Sequence, residues 1–206
     1  MIIWSQLLSA ISAIFAYKKL KNTNWKWFVF YLIFVFFAEL FSKIILIEYQ
    51  SFRNYYYDFL IIPIEFLLFY WLFAKNSLKS SRLHIYSCLI FIVFYIFHFF
   101  NLEQVRLISS MDYTVGVFLL AIMVYLEFIK QIKSDEILNF QKNMMFYINI
   151  GVLLFYVGTL PFFAFEKFLY KNNFNLWNNY FTFFLLSVNI MYLLFAASFI
   201  WGKPKP

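Results

Sequence analysis

Three ionisable residues, Glu39, Lys43 and Glu65, lie inside long apolar stretches of this sequence. Glu65 belongs to the run FLIIPIEFLLFYW, and Lys43 follows Glu39 by one helical turn. Charged side chains within a membrane are costly, so they usually face the protein interior, where they pair with one another or mark a functional site. The three residues therefore indicate either a structural Glu–Lys–Glu bridge between two helices or a polar site that binds a ligand or a proton. The sequence leaves both alternatives open.

The depths of the two carboxyl groups are expected to match. The second apolar segment would start at the inner surface near Trp27, and the third would start at the outer surface near Tyr56. At a rise of about 1.5 Å per residue, Glu39 and Glu65 would then lie within one helical turn of the same level. Adjacent antiparallel helices would bring both acids together, with Lys43 beside them.

Other polar residues and two prolines are expected close to this level. Tyr156 in the sixth apolar segment and Asn189 in the seventh would complete a ligand-binding or proton-linked core. Pro63 and Pro161 would kink their helices, because proline removes one helical hydrogen bond, and Pro63 would free the carbonyl group of Phe59. Kinked helices around a polar core are typical of ligand pockets and transport sites, and also of passive bundles.

The composition predicts an all-α, polytopic integral membrane protein. Of the 206 residues, 64% are hydrophobic and 13% are charged, whereas soluble domains are about half apolar and about a quarter charged. The apolar runs do not alternate as strands would, and each approaches the ~20 residues that a spanning helix needs. We expect one domain over residues 1–206, with no soluble domain. The seven predicted spans are 2–17, 27–47, 56–74, 85–100, 111–129, 144–165 and 177–201.

The basic residues predict the orientation of these spans. Twelve of the 17 Lys and Arg residues fall in one set of loops and four in the other, with Lys43 inside a span. Because basic loops stay in the cytoplasm, the N-terminus is expected outside and the C-terminus inside. The basic residues are divided among short loops, so the lipid bilayer rather than nucleic acid is the expected partner. No cofactor or metal is expected, since the single cysteine, Cys88, and the two distant histidines form no ligand set.

The remaining acids and one histidine suggest structural roles. Asp58 and Asp112 stand where the third and fifth spans are expected to begin, which is typical of helix capping. Glu127 is expected at the cytoplasmic interface, within reach of Lys130. His98 is interpreted as an interfacial residue, with pH sensing as the alternative.

Several seven-span or membrane-enzyme families can be compared with the sequence. The seventh span has no lysine for a retinal Schiff base, and the signature motifs of G-protein-coupled receptors are absent. The stretch PIEFLLF is similar to the Pro-x-Glu motifs of membrane lycopene cyclases, but it carries one acid, Glu65, where those motifs carry a pair. Ceramidase-type hydrolases need several histidines around zinc, and this chain has two remote ones.

The sequence most resembles uncharacterised small seven-span proteins of Bacteroidota-type bacteria. The resemblance lies in RNYYYDFLIIPIEFLLFYWLF, in AEL of the second span and in GVLLFYVG of the sixth. It implies a membrane sensor or signalling accessory in a bacterial cytoplasmic membrane, with a sensor histidine kinase or another membrane signalling protein as partner. Two alternatives are a lipid or isoprenoid enzyme that uses Glu39 and Glu65 as an acid–base pair, and a proton-coupled transporter.

Overall fold

Seven long helices build the chain. The computed structural model describes residues 2–45, 48–100, 111–134 and 136–203, and within these ranges it contains helices and no strand. The predicted all-α class is therefore confirmed. The helices are α1 (Ile2–Leu20), α2 (Lys26–Ile44), α3 (residues 50–77), α4 (Ser81–Phe100), α5 (Met111–Lys133), α6 (residues 144–172) and α7 (Phe174–Trp201), with a 3₁₀ segment at Glu136–Lys142.

Six of these helices, α2 to α7, are long and apolar enough to cross a membrane. Such a set of helices is what a multi-pass membrane protein contains. The first helix is not among the six, because it carries the buried polar residues Ser5, Gln6 and Ser9 and ends in two lysines. A seventh span, and the orientation of the bundle, remain predictions.

Helices α3 and α6 each combine α-helical and π-helical turns. In α3 the order is Gln50–Tyr56, π-helical Tyr57–Ile61, Ile62–Tyr70 and π-helical Trp71–Ser77; in α6 it is Met144–Val152, π-helical Leu153–Val157 and Gly158–Asn172. Pro63 and Pro161 each follow a π-helical turn within a few residues. The carbonyl oxygen of Phe59, which Pro63 deprives of its helical donor, accepts a hydrogen bond from the Tyr95 hydroxyl at 3.2 Å.

Aromatic side chains fill the centre of the bundle. Phe66, Phe69 and Phe195 are each at most 1% exposed, and Phe69 and Phe195 lie 6.2 Å apart between ring centroids. Helix α7 packs against α1 and α6, α1 packs against α2, and α4 packs against α5. Helix α4 is the most peripheral, since 17% of its apolar stretch is buried against 39–50% in the other five.

The two ends of the bundle differ in their loops. One end holds the loops that follow α1, α3 and α5, and we call it the lysine-rich end because Lys21, Lys79 and Lys133 lie there. The opposite end holds the last residues of α2, α4 and α6 and the first residues of α3, α5 and α7. The polar clusters described below are placed relative to these two ends.

Candidate functional site

Glu65 lies near the middle of α3, two residues after Pro63. Its Oε1 atom accepts a hydrogen bond from the Tyr31 hydroxyl of α2 at 2.6 Å. Tyr31 is 4% exposed, and its ring packs against Phe69 at 5.6 Å between centroids. The carboxyl group is therefore held between α2 and α3 by a donor that the aromatic core fixes in place.

Two more tyrosines face Glu65 from other helices. Tyr156 comes from the π-helical turn of α6, and Tyr113 comes from the first turns of α5. The Tyr156 hydroxyl is buried beside the carboxyl group and makes no well-oriented hydrogen bond among the described residues. Because the π-helical turn shifts this stretch of α6 in register, it places a polar side chain inside an aromatic core, which is a recurrent use of such turns.

A second layer of polar groups adjoins the Glu65–Tyr31 pair. The Tyr192 hydroxyl of α7 lies beside the Tyr31 hydroxyl and beside the amide of Gln6 on α1. Gln6 is 4% exposed, and its Oε1 atom has no hydrogen-bond partner among the described residues. Together with Glu65, Tyr113 and Tyr156, these residues connect six of the seven long helices through one cluster, which we call the tyrosine cluster.

The electrostatics of the tyrosine cluster are unusual for a buried acid. Among the described residues, no lysine, arginine or histidine forms an ion pair with Glu65, whereas Glu39, Asp112 and Glu127 each have one. Glu65 is half-buried, so a water-sized molecule reaches part of its surface. A carboxylate in such a setting relies on hydroxyl donors alone, and gaining one proton removes its charge altogether.

The predicted Glu–Lys–Glu arrangement differs in the structure. Lys43 Nζ lies 3.6 Å from Glu39 Oε1, as the four-residue spacing predicts, but the other oxygen of Glu39 accepts from the Tyr57 hydroxyl at 2.7 Å. Each acid thus bonds a tyrosine of the other helix: Glu39 of α2 accepts from Tyr57 of α3, and Glu65 of α3 accepts from Tyr31 of α2. Lys43 pairs with Glu39 and does not bridge the two acids. Glu39 and Glu65 therefore lie at different levels of the helix pair, offset by eight residues, or about 12 Å along a helix.

The reason lies in where α3 begins. The helix starts at Gln50 instead of Tyr56, so residue 57 rather than residue 65 lies level with Glu39. The Tyr56 hydroxyl confirms this register, because it reaches the Ala38 carbonyl oxygen at 3.3 Å. Joint acid–base work by Glu39 and Glu65 therefore gains no support from the geometry.

Asn189 has a different environment from Tyr156. Its Oδ1 atom accepts from the Ser5 hydroxyl of α1 at 3.0 Å, and its Nδ2 donates to the Leu185 carbonyl oxygen at 2.6 Å. It lies one helical turn from Tyr192 on α7 and ties α7 to α1. The structure thus brings Tyr156, but not Asn189, directly to Glu65.

A second buried cluster, at the opposite end, contains Asp58, His98 and Asp112. His98 Nδ1 lies 2.8 Å from Asp112 Oδ1, and Asp58 adjoins both residues. Asp58 is 3% exposed and lies inside the helix over residues 50–77, so it does not cap a helix as expected. His98 is buried against the neighbouring helices, in the last turn of α4. One feature of the sequence indicates that Asp58 is buried: it precedes Glu65 by two helical turns, so a regular helix would place both acids on the same face.

A third cluster lies at the lysine-rich end. Glu127 is fully buried and accepts hydrogen bonds from the Ser77 hydroxyl at 2.7 Å and from Gln131 Nε2 at 2.9 Å. Lys130 Nζ lies 3.6 Å from Glu127 Oε1 and also donates to Ser77. The predicted pairing with Lys130 is confirmed, although the burial of Glu127 was not expected. This cluster fixes the last π-helical turn of α3 to α5.

Comparisons of the chain with protein-family models, with curated proteins and with solved structures find no match. The function must therefore be argued from the polar clusters themselves. A groove of about 410 Å³ between α1 and α7, lined by Leu8, Phe15 and Lys19, shares no residue with the tyrosine cluster.

Proposed function

We propose that this chain is an integral membrane sensor or signalling accessory, and that its input is a proton or a small polar ligand bound at Glu65. It would cross a bacterial cytoplasmic membrane seven times, with the lysine-rich end in the cytoplasm. The excess of lysine and arginine in the loops at that end supports this orientation.

One observation carries the proposal: Glu65 has no cationic partner among the described residues and is surrounded by tyrosine hydroxyls from several helices. A structural bridge would neutralise the acid with a lysine, as Glu39 and Glu127 are neutralised. Without such a partner, the charge at the centre of the bundle depends on whether the Glu65 carboxyl group carries a proton. Intramembrane acids of this kind commonly mark functional sites.

The cluster also offers a route from input to output. Ionised Glu65 can only accept hydrogen bonds, whereas protonated Glu65 can also donate one, for example to a neighbouring hydroxyl. Tyr31 and Tyr192 would then have to reorient, and their helices with them. Helix α3 continues from Glu65 to Ser77, which contacts Lys130 and Glu127 at the proposed cytoplasmic end of the bundle. A partner at this end would sense the shift.

The partner is proposed from the resemblance to small seven-span bacterial proteins, which implies a sensor histidine kinase or another membrane signalling protein. Affinity purification from the native membrane, followed by mass spectrometry, tests this part. We expect a kinase or other signalling protein to co-purify with the wild-type chain, and in a different amount with Glu65→Gln. Recovery of no signalling protein from either chain would overturn the signalling role.

Proton binding at Glu65 has its own test. Infrared difference spectra of the purified protein, recorded between low and high pH, report protonated carboxyl groups directly. We expect a carboxyl band that titrates with pH, is lost in Glu65→Gln and persists in the matched variant Glu39→Gln. If the spectra of Glu65→Gln and wild type are the same, Glu65 binds no proton in this range.

Proton-coupled transport is the second candidate, and one observation favours it. Acids stand at three levels inside the bundle, with buried Asp112 near the opposite end, half-buried Glu65 in the middle and buried Glu127 near the lysine-rich end. Acidic residues at several depths are typical of proton relays. Proteoliposomes that show no pH-driven solute or proton flux would remove this candidate and leave the sensor.

A further inference from the structure

Asp58, His98 and Asp112 form a second polar centre, toward the end of the bundle opposite the lysine-rich end, that the proposed sensor function does not use. We propose that these three residues are a proton-binding site that controls the docking of α4. In its protonated form the His98 imidazolium holds α4 against α3 and α5, and loss of the proton releases the end of α4. This inference does not depend on a proton or ligand at Glu65.

The geometry assembles the site from three helices. Asp58 comes from a π-helical turn of α3, His98 from the last turn of α4 and Asp112 from the first turn of α5. His98 Nδ1 and Asp112 Oδ1 are 2.8 Å apart, and the side chains are 9% and 3% exposed. The Phe59 ring covers the imidazole at 5.8 Å between centroids. Water is largely excluded from the pair, so its interaction is little screened.

The charges of the described groups around His98 favour a cation here. Among the described residues, the titratable groups that face His98 are Asp58 on α3 and Asp112 on α5, and Tyr95 lies on α4 itself, close to Asp112. With a neutral imidazole and both acids ionised, two carboxylates would adjoin in a buried space, which is strongly unfavourable. An imidazolium offsets one of them and attracts the other. The binding of one proton thus decides whether the centre is held together or repelled.

The centre has unused hydrogen-bonding capacity. Asp58 Oδ2 and His98 Nε2 have no hydrogen-bond partner among the described residues, and the 2.8 Å approach of His98 Nδ1 to Asp112 Oδ1 is an ion-pair contact without the orientation of a hydrogen bond. An imidazolium donates from both ring nitrogens, whereas neutral imidazole donates from one. Protonation therefore supplies a second donor in the centre that contains the unpartnered carboxylate oxygen of Asp58.

Helix α4 is the element that such a switch can move. It is the least buried of the six apolar helices, and its polar ties near His98 to other described residues are that ion pair and the hydrogen bond from Tyr95 to Phe59. The other buried polar residue of α4 is Ser87, whose hydroxyl bonds to the Leu83 carbonyl oxygen of the same helix. Loss of the ion pair consequently leaves the end of α4 with one polar tie to α3.

The experiment measures the distance between α4 and α7 as a function of pH. Spin labels are attached to Val93→Cys and Leu186→Cys, two exposed positions, after the single native cysteine has been changed by Cys88→Ser. In nanodiscs we expect a narrow distance distribution at pH 5, and a broader distribution with a longer mean at pH 8. The sign follows from the charge: the imidazolium present at low pH attracts the Asp112 carboxylate across α4 and α5, and its loss at high pH removes that attraction.

The chain offers a matched control on the same helix. His84 and His98 are its two histidines, and they lie 14 residues apart, or about 21 Å at helical rise. We expect His84→Gln to keep the change in distance distribution between pH 5 and pH 8. We expect His98→Gln to lose it and to show the same distribution at both pH values. Asp112→Asn, which preserves the shape of the side chain, should lose it as well, and it serves if His98→Gln does not fold. A response that persists in both variants, or its absence in the parent, overturns the proposal.

Discussion

The hydrogen bond from Tyr31 to Glu65 makes a quantitative prediction about the charge of the buried acid. Tyr31→Phe removes the donor and keeps the ring, which packs against Phe28 at 6.0 Å and Phe69 at 5.6 Å between centroids. The variant therefore loses the hydroxyl, which donates to Glu65 and lies beside the Tyr192 hydroxyl, and keeps the packing of the ring. Its effect on the free energy of unfolding then includes the 2.6 Å contact as one part.

The magnitude depends on whether Glu65 is ionised. A hydrogen bond to a charged group contributes about 1.5–3 kcal/mol, and a neutral one about 0.5–1.5 kcal/mol. Between transmembrane helices, measured coupling energies for ordinary polar pairs average about 0.6 kcal/mol. We therefore expect a coupling near 0.6 kcal/mol where Glu65 is protonated and above about 1.5 kcal/mol where it is ionised. The coupling should rise with pH.

A double-mutant cycle isolates this coupling from other effects of the substitutions. Wild type, Tyr31→Phe, Glu65→Gln and the double variant are unfolded by denaturing detergent in mixed micelles at several pH values. The pair Tyr57–Glu39 serves as control, because its hydrogen bond is similar at 2.7 Å but its acid also has Lys43. A coupling that is below about 0.3 kcal/mol and unchanged with pH would refute the assignment of Glu65 as a proton-binding group, since even ordinary transmembrane pairs exceed it.

Two further predictions concern how α3 is held against α5. Gly116→Ala should lower the free energy of unfolding by about 1–3 kcal/mol, because its Cβ would lie 2.9 Å from the Phe66 ring in a filled core; detergent unfolding measures this, and an unchanged stability would show that Phe66 moves freely. Ser77→Ala should lower it by about 1–3 kcal/mol, since buried Glu127 loses a donor. Thermal unfolding checks the latter, and equal stability would mean that Lys130 replaces the hydroxyl.

The fold class follows from composition, but the register between helices does not. Apolar runs longer than strands, with few charges, suffice to predict membrane helices, and six are present. The start of α3 was predicted at Tyr56, because the polar stretch before it reads as a loop; the chain instead forms a helix from Gln50. That shift of about two turns moved Glu65 from the level of Glu39 to the level of Tyr31.

The candidate site was predictable in its acids and not in their partners. Local spacing determines the Glu39–Lys43 and Glu127–Lys130 pairs, which both form. The partners of Glu65 come from other helices, and in a chain with 16 tyrosines no single tyrosine stands out. The π-helical turns that place Tyr57 and Tyr156 leave no composition signal either.

The acids inside the bundle can be compared by the groups that compensate their charge. Glu127 has a lysine, a hydroxyl and an amide, so its charge is compensated and it serves to fix α3 against α5. Asp112 has a histidine, whose own charge varies with pH. Glu65 has hydroxyls alone among the described residues. The free energy of each ionised form therefore depends on the medium to a different degree, least at Glu127 and most at Glu65. If these acids served packing alone, a lysine beside Glu65 would compensate its charge as Lys130 does at Glu127, but among the described residues Glu65, where six helices meet, has no such partner.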